Sequence, residues 1–341
     1  MRMLPLYARL ALCALRARLK REPYLLNVHL SWKCNSRCRH CSIWKIDDHS
    51  GELTLQEYRR VFKALGSSIG IVNFTGGQPT MKTDAADIML SAAKLLARLE
   101  LMHYTTNALT PDADTALLEK VLTGAPSVIT RVSLSLDGLN DGHDGVRGVS
   151  GNFAKTETLF KKCKELKRRF SNLRAGFSTT IGTFNAGALK ELAAAFPDKD
   201  FHTFDFYHAN SEYYGETPRE SLALDAADKA RAAAELLRGL PKGIDGLLNR
   251  IFLALSEKQP LPCAAGEAAV SLFPAGEVKR CYFLKESIGN LRAGAYNLPA
   301  IMRAARPKLN EECRVCWNTC NAYATIAARP LAAGAGWLRA R

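Results

Sequence analysis

At 341 residues with 47% hydrophobic side chains, the chain can bury the core of one large α/β domain, or of one large and one small domain, which argues against disorder. The formal charge of +14 admits an anionic partner, but the basic residues are spread along the chain except in Lys161 to Arg169 and at the two ends. No basic run is interleaved with aromatics, which disfavours nucleic-acid binding. Eight of the ten cysteines fall in two groups: Cys34, Cys38 and Cys41, then Cys263, Cys281, Cys313, Cys316 and Cys320, with Cys13 and Cys163 alone. Groups so far apart suit metal sites in a reducing compartment better than a disulfide framework, so a cytoplasmic location is expected.

Over residues 1–23, Arg2, Arg9 and Arg16 recur every seven residues opposite Leu12, Leu15 and Leu19, which predicts a basic amphipathic helix. Such a helix packs on the body of its own protein or, as the alternative, makes peripheral contact with an anionic membrane. The apolar run from Leu10 to Leu15 is six residues long between Arg9 and Arg16, too short for a membrane span or a secretory leader.

Residues 24–245 alternate short β-rich runs with longer helical ones, the pattern of a parallel α/β sheet. Strands are predicted over 25–31, 70–75, 101–107, 129–136, 175–181 and 201–208, with helices centred near Phe62, Met89, Leu117, Phe160, Leu192 and Ala232. A closed eight-unit barrel takes about 250 residues, so a partial, open (β/α)6 TIM-like barrel is the expected fold. In the fourth strand Ser133, Ser135 and Asp137 fall on one face while Val132, Leu134 and Leu136 fall on the other. The third strand repeats this with His103, Thr105 and Asn107. A packed barrel interior favours branched apolar residues, so this one-sided polarity predicts a cavity for a polar ligand; a solvent-facing sheet surface is the alternative. Residues 246–326 lose the alternation and gain cysteine, glycine and proline, which predicts a small loop-rich unit held by metal. The Ala/Gly-rich segment 327–341 is expected to be loosely ordered.

Cys34, Cys38 and Cys41, spaced CxxxCxxC directly after the first predicted strand, put three thiols within eight residues. Three thiolates can hold three corners of a 4Fe-4S cube and leave the fourth iron without a protein ligand. Zinc is the alternative, with His40 or His49 as a fourth ligand, although zinc sites more often pair two short cysteine hairpins. Together with Gly76-Gly77-Gln78-Pro79 after the second strand, this spacing resembles the signature of the radical S-adenosylmethionine (SAM) superfamily, whose usual second motif is Gly-Gly-Glu-Pro. The resemblance implies a SAM-binding 4Fe-4S cluster on Cys34, Cys38 and Cys41, with SAM chelating the open iron. It also implies that Gly76, Gly77, Gln78 and Pro79 bind SAM, the backbone of Gly76 to Gln78 lining its methionyl amino group, with Gln78 in place of the usual glutamate. Ser133 to Gly138 and His143 to Gly148 are similar to the fourth-strand segment of the branch that includes peptide and cofactor maturases, which assigns Ser135 to the ribose and Arg147 to the SAM carboxylate. His40 stands where the family carries an aromatic, for stacking on adenine. Asn107 closes a segment that resembles a SAM-lining one, with Ala108 in place of the usual glycine.

Cys263, Gly276 ahead of Cys281, and then Cys313, Cys316 and Cys320 resemble a shortened SPASM domain of the twitch type. This implies one auxiliary 4Fe-4S cluster with Cys263, Cys281, Cys313 and Cys316 as ligands, Cys320 being spare or exchanging with one of them; a structural zinc knuckle is the alternative. At the end of the sixth strand, Asp205, Tyr207, His208 and Glu212 are candidates for a substrate acid or base, because barrel active sites lie at that end. The resemblance implies an enzyme in which an external donor such as flavodoxin or ferredoxin reduces the first cluster and SAM is cleaved to a 5'-deoxyadenosyl radical. That radical would then take hydrogen from a small-molecule or peptide substrate. A non-catalytic iron-sulfur electron carrier and a zinc-binding protein are the alternatives.

Overall fold

A computed structural model of the chain describes residues 3–209, 220–239, 244–256, 263–305, 318–330 and 333. In chain order its elements are α1 (Met3–Lys20), β1 (Leu25–His29), α2 (Leu55–Leu65), β2 (Ile71–Thr75), α3 (Ala85–Leu95), β3 (Leu101–Thr106) and α4 (Pro111–Gly124). There follow β4 (Ile129–Ser135), α5 (Asn140–Arg147), α6 (Asn152–Arg169), β5 (Leu173–Ile181), α7 (Leu189–Ala194), β6 (His202–Phe206), α8 (Ala226–Gly239) and α9 (Ile244–Ser256). The last are β7 (Ala269–Leu272), β8 (Glu277–Lys279), β9 (Gly289–Asn290), α10 (Leu298–Ala304) and α11 (Thr319–Ala328).

Strands β1 to β6 are parallel and lie side by side in sequence order. The barrel is open, as expected, because β6 does not return to β1. The free side of β1 is taken instead by β7, in register from Leu25↔Ala269 to Val28↔Leu272. Antiparallel β8 and β9 then extend the same sheet. The composition change after residue 245 therefore leaves the sheet uninterrupted, and part of the segment read as loop-rich is strand.

Side chains alternate along a strand, so in-register partners share a face. One face presents Leu26, Val28, Val72, Phe74, Met102, Tyr104, Val132, Leu134 and Phe177, all buried in one core with Tyr58, Val61 and Phe62 of α2 and Ile88 and Met89 of α3. The spacing of those α2 residues is that of one helix face. The helix opens on a capping box, in which Thr54 Oγ1 accepts from Glu57 N and Glu57 Oε2 accepts from Thr54 N at 2.8 Å.

The opposite face is polar. Asn27, Asn73, His103 and Arg131 form one row across β1 to β4, and His29 with Thr75 and Thr105 with Ser133 follow above it. Ser135, Ser178 and Thr203, then Thr180 and Asp205, continue the pattern across β4 to β6. A parallel sheet covered on both faces normally reads apolar on both. Here Asn73, Thr75, His103, Thr105, Ser178, Thr180, Thr203 and Asp205 are only partly buried, while Ser133, Ser135 and Asp137 are fully buried. The hydroxyls of β4 thus line an interior, as predicted, and do not form an outer sheet surface.

Helix α1 packs on this body through a different face from the one its leucines suggested. Leu6, Leu10, Cys13, Ala14 and Ala17 are buried. Leu6 and Leu10 rest on Leu101, Ile71 and Ile129, which are the first residues of β3, β2 and β4. Arg9 pairs with Glu100 at 2.7 Å. The helix therefore closes the N-terminal end of the barrel and leaves Leu12, Leu15 and Leu19 exposed. No described helix is long and apolar enough to cross a membrane.

The two sheet faces should respond differently to truncation. Phe74→Ala, in the packed core, is expected to cost about 3–5 kcal/mol. Thr105→Ala, facing the partly open interior, should cost less than about 1 kcal/mol. Urea unfolding monitored by circular dichroism measures both, and equal losses would show that the interior is packed.

Candidate functional site

The segment 30–41 that follows β1 forms no regular element, so its backbone groups need partners from elsewhere. Two neighbours supply them. On one side Leu30 N donates to Thr75 O at 2.9 Å, while Gly77 N and Gln78 N donate to Ser31 O and Lys33 O at 2.8 and 2.7 Å. Glycine is required for this approach. Gly76 has φ 123°, and a Cβ there would lie 2.5 Å from Ser31 O; one on Gly77 would lie 2.1 Å from Lys33 O. The backbone that Gly76 and Gly77 admit in this structure is that of the cysteine loop itself. On the other side, Arg37 N and Arg39 N donate to Arg147 O and Val146 O at 3.0 and 2.9 Å, and Ser36 Oγ donates to Arg147 O at 3.0 Å. These are carbonyls of the last turn of α5, which have no partner within the helix.

Within this clamp Cys38 is buried and Cys34 and Cys41 are partly buried. Ser36 Oγ lies 3.2 Å from Cys38 Sγ, and Asn107 Nδ2 lies 3.8 Å from Cys34 Sγ while donating to Asn35 Oδ1 at 2.7 Å. Burial raises the Cys34 thiol above its ordinary value and, with the neighbouring sulfurs Cys38 and Cys34, pushes Cys41 up to about 12. Such thiols keep their protons unless a cation takes the protons' place. Among the described residues no three His, Cys, Asp or Glu side chains converge so as to share one metal ion; the corners of an iron-sulfur cube bind separate irons and need no such convergence.

Gln78 turns its side chain away from the loop and into the scaffold. Its Oε1 accepts from Asn107 N at 2.9 Å, and its Nε2 donates to Thr106 Oγ1 at 3.0 Å and to Asp114 Oδ1 at 3.3 Å. Asp114 is fully buried, also accepts from Tyr104 Oη, and is held above the usual carboxylate range by burial. Gln78 thereby ties the end of β2 to the end of β3, and Pro79, buried, begins the short turn Pro79–Met81. Asn107 is fixed in turn by Asn152 Nδ2, which donates to its carbonyl at 2.9 Å. Ala108 holds a left-handed φ of 60°, a conformation that costs a non-glycine residue roughly 1–2 kcal/mol.

Arg147 is buried, with Nη1 on Asp137 Oδ2 at 2.9 Å and Nε buried without a hydrogen-bond partner. The side chain assigned from sequence to a ligand carboxylate is thus already committed, on one nitrogen, to a carboxylate of the chain. Asp137 Oδ1 accepts from Thr180 N at 2.8 Å, and His40 Nε2 lies 4.0 Å from Oδ2. The His40 ring stacks on Phe184 with centroids 5.5 Å apart. Ser135 is buried at the end of β4 on the inward face. Cys34, Cys38, Cys41, Gly76, Gly77, Asn107, Ser135 and Arg147 therefore lie around the C-terminal ends of β1 to β4, as barrel sites do.

The second cysteine group is described in part. Cys263 and Cys281 belong to one cluster with Ala265, Phe283 and Leu284. Asn321 of α11 donates to Cys281 Sγ at 2.9 Å. Cys313 and Cys316 lie outside the described residues, as does Glu212; Cys320 falls in the first turn of α11, its side chain undescribed. Between the two cysteine groups run aromatic contacts: Trp32 to His29 at 5.7 Å, His29 to Phe273 at 4.7 Å, His29 to Tyr282 at 5.9 Å and Tyr282 to Phe283 at 4.3 Å. Phe283 meets His208 at 5.0 Å. Asp205 accepts from Thr319 N and Oγ1 at 3.2 and 3.0 Å through Oδ2, while its Oδ1 is buried without a hydrogen-bond partner, 3.9 Å from His208 Nε2. Burial pushes Asp205 up to about 7. Tyr207 is buried beside it. Asp114, Tyr104, Asn321 and the aromatic contacts were not found from sequence. An aspartate in the first turn of a helix and an asparagine beside a cysteine carry no spacing signal, and only the fold brings them to the site.

Gln78→Glu sets a carboxylate against buried Asp114 and should lower stability by about 1–3 kcal/mol at pH 7. The loss should shrink at pH 5, where the two carboxyls share a proton, and Asp114→Asn should recover it. Thermal unfolding of the single and double variants measures this; an additive double variant would disprove the coupling. Asp205 predicts a pH effect of defined sign. Its raised value means that the neutral carboxyl favours folding fully below about pH 4 and that this contribution is lost as pH rises through about 7. A quarter of the side chain stays open, which screens the effect to roughly 1–3 kcal/mol. Asp205→Asn should flatten the stability profile between those limits, and an unaltered profile would remove the assignment.

Residues 30–194 match the family model of the Radical SAM superfamily. Pre-heme d1 synthase of Dinoroseobacter shibae is 27% identical over 53% of this chain and 42% of its own length. The antilisterial bacteriocin subtilosin biosynthesis protein AlbA of Bacillus subtilis is 22% identical over 85% of this chain and 64% of its own. The chain thus spans about two fifths to two thirds of the length of these relatives. The crystal structure of Streptococcus suis SuiB bound to S-adenosylmethionine shares the fold with a TM-score of 0.58 at 18% identity, over 86% of this chain and 70% of that one. The segment that matches the radical SAM superfamily, spanning β2 to β5, is the one that clamps the cysteine loop at the C-terminal end of β1 and seats the glycine pair against it.

Proposed function

We propose that the protein is a radical SAM enzyme that cleaves SAM reductively and removes hydrogen from an organic substrate. The observation that carries this reading is the seating of a CxxxCxxC loop between Gly76-Gly77 and the C-terminal carbonyls of α5, at the mouth of an open barrel with a polar interior. The donor set fits a 4Fe-4S cluster: three thiols on one loop, kept protonated by burial until iron replaces the protons. When bound, that cluster and SAM supply the reductive cleavage that yields a 5'-deoxyadenosyl radical. The chain supplies position and shielding. Gly76 and Gly77 hold the loop backbone, and Asn107 and Ser36 hold the approach to Cys34 and Cys38. The Arg147–Asp137 pair keeps a guanidinium Nε beyond the end of β4 for an anionic ligand group, and Ser135 offers a hydroxyl at the end of that strand.

Cys263 and Cys281, with Cys313 and Cys316, are proposed to hold an auxiliary 4Fe-4S cluster of the SPASM/twitch type. The Asn321 amide on Cys281 Sγ supports this, because such donors stabilise thiolate charge. Asp205 and His208 are the favoured acid and base candidates on geometry. A peptide is the first substrate to test: the relative named for bacteriocin biosynthesis matches across 85% of this chain, whereas the one named for heme d1 matches over 53%. An external reductant such as flavodoxin or ferredoxin is the expected partner, in the cytoplasm.

Protein reconstituted anaerobically should be brown and bind about eight irons, four for each of two clusters. Replacing Cys34, Cys38 and Cys41 by Ala should leave about four and abolish 5'-deoxyadenosine formation from SAM and dithionite. Colourless protein with stoichiometric zinc would sink the proposal.

A further inference from the structure

Helix α1 has two apolar faces. The first closes the N-terminal end of the barrel, as described. The second, Ala8, Leu12, Leu15 and Leu19 at spacings of four, three and four, lies on the opposite side of the helix and points to solvent. Its leucines are 45%, 53% and 77% exposed; the other large exposed apolar side chains among the described residues are Met81 and Leu247. Such a stripe is uncommon on a soluble surface unless something covers it. Basic side chains flank it, Arg16 and Lys20 on one edge and Arg18 on the other, with Arg21 beyond the helix end. Residues 1–23 hold six basic residues against one acidic, Glu22.

We propose that α1 docks the protein on an anionic lipid surface, Leu12, Leu15 and Leu19 entering the headgroup boundary while Arg16, Arg18, Lys20 and Arg21 meet the anionic headgroups. Charge complementarity selects this occupant. A second copy of α1 brings no acidic residue within the helix to meet these cations, whereas an anionic surface meets all of them. The helix lies in the surface plane and does not span it. Because α1 caps the N-terminal ends of the strands and the cysteine loop lies at their C-terminal ends, docking leaves the barrel mouth facing water. The inference does not depend on the chemistry performed at that mouth.

Flotation of the full chain with phosphatidylcholine vesicles, with and without about 30% phosphatidylglycerol, tests it. The bound fraction should rise about tenfold or more with the anionic lipid and fall at high salt. Leu15→Glu with Leu19→Glu, and separately Arg16→Glu with Lys20→Glu, should each cut binding by about tenfold or more at unchanged Tm. Equal binding to both vesicle types, no binding, or binding indifferent to the leucine pair overturns the proposal. So does a solution dimer that the leucine pair dissociates, since that assigns the stripe to a second copy.

Discussion

A loop without secondary structure must borrow partners for its main chain, and the region around the cysteines is organised by that need. The loop after β1 finds them on two elements that are themselves rigid: the glycine pair after β2 and the last turn of α5. A side chain at Gly77 would meet Lys33 O at 2.1 Å, so the position of the thiols depends on residues that carry no functional group. Asn107, Gln78 and Asp114 extend the same logic by tying the end of β3 to the end of β2. What positions the sulfurs is a network of amides and carbonyls rather than packing.

The interior that this network borders is polar, and burial acts against charge on several of its groups. His29 is pushed down to about 3 by burial and by Lys279, and His143, whose Nδ1 accepts from Asp137 N at 3.1 Å, to about 4. Asp205 is pushed the other way. Arg147 and Asp137 keep their charges because each has the other, the condition under which burial of ions is tolerated. Breaking either partner would leave a buried charge uncompensated, so this pair is tied to stability as firmly as to any ligand.

The six βα units and the polar face of β4 were legible because period-2 alternation and helix periodicity are local signals, and Cys34, Cys38 and Cys41 because their spacing is local too. The glycine pair was legible as a motif, but its contact with the loop backbone was not. What failed were readings that depend on which of two faces a helix or side chain commits. Leu12, Leu15 and Leu19 looked like the packing face of α1, yet Leu6 and Leu10, with the small residues Cys13, Ala14 and Ala17, fit the barrel end more closely. The commitment of the Gln78 side chain to the scaffold was likewise not legible, since the motif spoke only for its backbone. The continuation of the sheet into β7 was hidden because four residues, Ala269 to Leu272, carry too little pattern to read.

The pairing of β1 with β7 has a consequence for how the molecule is made. Strand β1 leaves the ribosome early, but its second neighbour begins at Ala269, 244 residues after Leu25. At about 5–20 residues per second, the strand that carries the cysteine loop waits roughly 12–50 seconds with one edge open. For that interval the loop is attached to a half-paired strand, whose open edge can pair with a neighbouring chain. Arrival of β7 ends the interval, so the C-terminal segment acts as a closing strand for the N-terminal cysteines as well as a carrier of its own.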